Sequence, residues 1–107
     1  MTAEGANLLT LVVALFVHPG RDAEFAQFEE QAADIMRRYG GRIERRISIA
    51  SASESDPTEV HVVTFPDSAA LDRYQRDPDV VALADVRARA IRRTIVWRGA
   101  TAGQFPP

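Results

Sequence analysis

The chain has 107 residues, 46% of them hydrophobic and 26% charged, with a formal net charge of −2 and no cysteine. One domain of ordinary globular composition fits that length. Disulfides, thiol catalysis and cysteine-based zinc sites are excluded, and no global attraction to nucleic acid or to an anionic membrane is indicated. All 13 basic residues are arginine, which reads more simply as a codon bias than as selection for bidentate anion binding.

Met1 to Asn7 is small and polar and is expected to fray. Leu8 to Val17 (LLTLVVALFV) is apolar at almost every position and rich in β-branched residues, the pattern of a central strand. It is about half as long as the ~20 residues a membrane-spanning helix needs. No basic residue precedes it, and no small-residue cleavage site follows, so it makes a poor signal peptide and cytoplasm is the expected compartment. His18-Pro19-Gly20 ends the strand.

A helix is expected from Asp22 to Tyr39. Its first turn carries Asp22 and Glu24 and its last turn Arg37 and Arg38, both favourable to the helix dipole. Phe25, Phe28, Ala32, Ile35, Met36 and Tyr39 form one apolar stripe, and Gly40 can take the left-handed conformation that closes a helix. Arg42 to Ser51 reads as an edge strand, with Ile43, Arg45, Ile47 and Ile49 on one parity and charged or polar residues on the other. Ala52 to Pro57 is a polar turn.

Thr58 to Phe65 is a second central strand. Pro66-Asp67-Ser68 breaks it and caps a helix from Ser68 to Gln75. Asp77-Pro78 interrupts that helix and starts another, Pro78 to Arg89. Arg92 to Arg98 is a charged edge strand, and Gly99 to Pro107 a tail. The order β-α-β-β-α-β, with apolar first and third strands inside charged second and fourth strands, predicts a ferredoxin-like α+β domain. Its four-stranded antiparallel sheet has the order 4-1-3-2, with helices on one face and a core from about residue 8 to 98. The other face would expose apolar residues, which predicts a homodimer.

Two segments, FAQFEEQAADIMRRYGGRIERR and VHVVTFPDSAALDRYQRDPDVVAL, resemble a bacterial family of domains of unknown function in the dimeric α/β barrel superfamily. The likeness rests on a helix ending in Tyr-Gly-Gly, an arginine-bearing strand, and a strand ending in Phe-Pro followed by a capped helix. It spans roughly residues 10 to 98 and implies two sheets closing into a barrel across a two-fold axis. It carries no agreed activity. The superfamily also contains antibiotic-biosynthesis-type and haem-degrading monooxygenases, cofactor-poor enzymes that oxidise a ligand held in the barrel. Where the haem-degrading members use an Asn, a Trp and a His, this chain has Val13, Phe65 and Ala84, so that mechanism is not expected here. The alignment does imply that His61, Val63 and Phe65 face the cavity, since alternate strand residues share a face.

His61 is the one ionisable residue in the middle of an apolar strand, a candidate general base or ligand contact; the plainer alternative is a hydrogen-bonded structural histidine. His18 reads as a solvated turn residue. Neither histidine has an evident carboxylate partner, so no metal site and no cofactor is expected. Trp97 and Phe65 could form an aromatic wall for a planar ligand, or simply pack. The arginines at 37, 38, 42, 45 and 46 read as a solvated face, except that Arg45 shares parity with three isoleucines and is a candidate ligand contact. Asp67 and Ser68 read as a cap, and the serines lack a nucleophile motif.

The leading expectation is therefore a protein that binds a small apolar or aromatic molecule in a dimer-associated cavity through His61, Val63, Phe65 and Arg45. One alternative is a cofactor-independent monooxygenase or isomerase in which His61 takes a proton from the substrate. Another is a purely structural dimer with a filled barrel.

Overall fold

The structure, a computed structural model, describes residues 8–50, 52–103 and 105–106. The expected fraying of Met1 to Asn7 lies outside these residues. The elements are β1 (Leu9–Val17), α1 (Asp22–Arg37), β2 (Arg42–Ser48), β3 (Glu59–Phe65), α2 (Ser68–Arg76), α3 (Pro78–Val81), α4 (Ala84–Ala90) and β4 (Ile91–Gly99). They form one antiparallel four-stranded sheet in the order β2-β3-β1-β4. This is the ferredoxin-like arrangement, with the apolar strands β1 and β3 at its centre.

The helices cover one face. Leu11, Val63 and Phe65 pack there with Ala70 and Leu71 of α2, while Leu15, Val17 and Ile91 pack with Phe25 of α1 and Ala90 of α4. The cross-strand partners Val12, Val62 and Trp97, and next to them Ala14, Val60 and Ile95, lie on the opposite face, as does Ile47 beside Val60. Val12, Ile47 and Trp97 are exposed.

Local chemistry fixes the element ends. Gly40 stops α1 at a positive φ of 74°, and the Gly41 amide closes the turn on the Met36 carbonyl at 2.9 Å. A Cβ on Gly41 would lie 2.4 Å from Phe65 Cε1, so only glycine lets the chain pass over that ring into β2. Asp67 accepts from the Ala70 amide at 2.8 Å and so starts α2. Asp77 accepts from the Asp79 amide at 2.8 Å, with Pro78 opening α3.

The same Asp77 carboxylate ties the α2–α3 break to the end of α1. It accepts from the Tyr39 hydroxyl at 2.5 Å and lies 3.2 Å from Arg38. Several boundaries differ from expectation: α1 ends at Arg37 rather than Tyr39, β2 ends at Ser48, short of the expected Ser51, β3 begins one residue late at Glu59, and β4 spans Ile91–Gly99. The helix predicted from Pro78 to Arg89 is divided by a turn at Ala82-Leu83, where Leu83 takes φ −83° and ψ −1°.

Candidate functional site

A cavity of about 350 Å³ lies between the helices and the sheet of a single chain. Its apolar wall includes Val13, Phe28, Met36, Val63, Tyr74 and Val96, and polar groups enter from Glu29, His61, Gln75, Arg87 and Thr94. A smaller pocket of about 260 Å³ shares Val13, Met36, Val63, Tyr74, Gln75 and Val96 with it and extends toward Phe65 and Leu71. The space lies on the helix-covered face, walled by one chain's own α1, α2 and sheet.

Antiparallel pairing explains what reaches it. His61 pairs with Val13, and Val13 with Val96, so the three share the helix-side face. His61 and Val63 line the main cavity, as their alternation on β3 implies. Phe65 is fully buried at the far end, against the Tyr74 ring with centroids 5.5 Å apart. It walls the smaller pocket rather than the main one.

Arg45 is elsewhere. A bulge between Ile43 and Arg45 shifts the register of β2, so that Ile43 pairs with Val63 but Arg45 with Val62. One extra residue reverses the alternation. Arg45 therefore lies on the open face and Arg46 takes the helix-side position beside His61. Trp97, opposite Val12, is also on the open face, so Trp97 and Phe65 do not form one aromatic wall.

At the polar end of the cavity His61 is only 4% exposed. Its Nε2 lies 2.8 Å from Glu59 Oε1, in a hydrogen bond, and also 2.8 Å from Glu29 Oε2. Arg46 holds the outer sides of both carboxylates, donating to Glu29 Oε1 at 2.9 Å and to Glu59 Oε2 at 3.1 Å. Glu29 Oε2 is buried and accepts no hydrogen bond among the described residues. Burial alone would lower the His61 pKa; the attraction of Glu29 and Glu59 outweighs it and raises the value above that of an ordinary histidine. Burial raises Glu59, but Arg46 and His61 outweigh it, and its pKa is held below the usual carboxylate value.

The expectation that no carboxylate partners a histidine is thus corrected, because two converge on His61. Glu59 was legible: residues two apart on a strand share a face. Glu29 was legible only in part, as a charged residue four positions after Phe25 and three before Ala32 on the apolar stripe of α1. Arg46 was hidden by the bulge.

The chain belongs to the family described as "Domain of unknown function (DUF1330)", whose model matches residues 11–99. No curated protein matches it in sequence. Solved structures share the fold at low identity. One is a protein of unknown function from Rhodopseudomonas palustris, 14% identical over 92% of this chain and 85% of that one, with a TM-score of 0.77. Another is SnoaB, a cofactor-independent oxygenase from Streptomyces nogalater, 20% identical over 95% of this chain and 100% of that one, with a TM-score of 0.72. A third is a dabb family protein with a ferredoxin-like fold from Mesorhizobium loti, 21% identical over 90% and 98%, with a TM-score of 0.65. No described helix is long and apolar enough to cross a membrane.

Proposed function

We propose that this member of the DUF1330 family binds a small apolar or aromatic molecule in the helix-side cavity, with the Glu29–His61 end contacting a polar group of that molecule. The cavity itself carries this reading: about 350 Å³ and mainly apolar, with a small number of polar side chains on its wall, Glu29 and His61 among them. Ligand sites usually have that character and a volume of roughly 300–1,000 Å³. The open face, with Val12, Ile47 and Trp97 exposed, supports pairing of two chains there, which leaves both cavities accessible from the helix side.

A second reading is an enzyme of the cofactor-independent oxygenase or isomerase type. The buried His61–carboxylate group at a cavity wall supports it, because such a group can exchange a proton with a bound substrate. The oxygenase activity named for SnoaB is consistent with this fold.

A thermal-shift screen of planar aromatic and polyketide-like compounds tests the binding reading. Ala32 is buried and lines the cavity, so Ala32→Phe should fill it and abolish any stabilisation by a hit. A hit that stabilises wild type and Ala32→Phe equally binds elsewhere and contradicts the assignment. For the enzyme reading, His61→Ala should abolish turnover of a hit while Arg45→Ala does not; unchanged turnover in a folded His61→Ala protein rules His61 out.

A further inference from the structure

We propose that Glu29, Glu59 and His61 form a binding site for one divalent first-row transition-metal ion, open toward the cavity. The three donor atoms come from two elements, α1 and β3, and lie within 4.8 Å of one another. Nε2 of His61 is 2.8 Å from an oxygen of each carboxylate. One ring nitrogen carries at most one proton, and that proton can serve one oxygen. Glu59 Oε1 has it, so Glu29 Oε2 is left buried and without a hydrogen bond, on a residue only 7% exposed. A buried carboxylate oxygen held by that one close approach, with no hydrogen bond, can take a further partner. A cation among the three atoms satisfies all of them together.

The surroundings suit an ion. Arg46 holds Glu29 by Oε1 and Glu59 by both oxygens, donating from Nε to Oε1 at 3.2 Å and from Nη2 to Oε2 at 3.1 Å, while Glu29 Oε2 and Glu59 Oε1 both face the histidine nitrogen. Contacts that orient ligands from behind in this way are a regular part of metal sites. Two carboxylates and one imidazole, without sulfur, favour Mn²⁺, Fe²⁺, Co²⁺ or Zn²⁺ over Mg²⁺ or Ca²⁺, which take oxygen donors almost alone. Three protein ligands leave coordination positions free, and the cavity adjoins them. The inference stands whether or not the apolar part of the cavity holds a molecule.

The test uses the untagged full chain, stripped of metal, titrated with Zn²⁺ by calorimetry and with Co²⁺ by visible absorption. Wild type should take up one ion per chain. Glu29→Gln and Glu59→Gln keep side-chain shape and guard against the failure of His61→Ala to fold, which circular dichroism checks. In each folded variant the affinity should fall by ~100-fold or more, beyond the ~10–100-fold that supporting contacts carry. His18→Ala should bind as wild type. Failure of the wild type to bind either ion at millimolar concentration, or wild-type affinity in any folded variant of the three, overturns the site.

Discussion

Nε2 of His61, on β3, and Oε2 of Glu29, on α1, approach to 2.8 Å across the join of sheet and helix. Both residues are buried. Removing one partner of a buried charged pair leaves the other uncompensated, at a cost of about 3–5 kcal/mol. His61→Ala should therefore lower stability by about that amount in urea unfolding. His18→Ala, at a half-exposed turn, should stay within roughly 0.5 kcal/mol of wild type. Equal losses at the two histidines would contradict the assigned environments.

Gly41 meets Phe65 at a point with no room for a side chain. Gly41→Ala should destabilise by about 1–3 kcal/mol, the range for overpacking a filled core. Gly99 has open space around it, so Gly99→Ala should be close to neutral in the same assay. The reverse order would show that the Gly41 turn can relax.

Asp77 gives the fold an acid limit. The Tyr39 hydroxyl, then the Asp79 amide and Arg38, stabilise its charged form and hold its pKa below the ordinary carboxylate value. A depressed folded-state pKa gives stability that is fully present above the unfolded pKa of about 4. That stability is lost as pH falls through the folded value. The urea midpoint of wild type should drop across the acid range, and Asp77→Asn should drop less steeply. Parallel curves would remove Asp77 from the acid response.

The bulge in β2 separates two neighbouring arginines. Arg46→Ala removes the contacts that orient Glu29 and Glu59, and should weaken retention of any cavity ligand that touches that end. Arg45→Ala acts on the open face and should leave retention unchanged. A ligand released by Arg45→Ala and kept by Arg46→Ala would reverse the register.

That register marks where the sequence stops being legible. The β-α-β-β-α-β order, the central strands, the Gly40 stop, the cap at Asp67 and the helix break at Asp77-Pro78 all follow from local patterns, because they depend on a few adjacent residues. Strict alternation along Ile43, Arg45, Ile47 and Ile49 misplaces Arg45, since a single extra residue in a strand leaves no compositional mark. His61 was visible as a polar residue in an apolar strand. Its link to Glu29 joins residues 32 positions apart, and only the packing of α1 on β3 brings them together.

The open face should pair two chains through Trp97 and Val12, neighbours across β1 and β4. Val12→Glu should convert a dimer in sedimentation analysis to a folded monomer, because it puts charge at the centre of the apolar patch. A dimer unaffected by Val12→Glu would place the interface on another surface.

The most direct test of a ligand-holding cavity is native mass spectrometry of freshly purified wild type and Ala32→Phe, each repeated under denaturing conditions. The account predicts extra mass on native wild type that denaturation releases and that Ala32→Phe lacks. Released mass carried equally by Ala32→Phe would contradict it, as would wild type that neither carries such mass nor binds any compound of the screen.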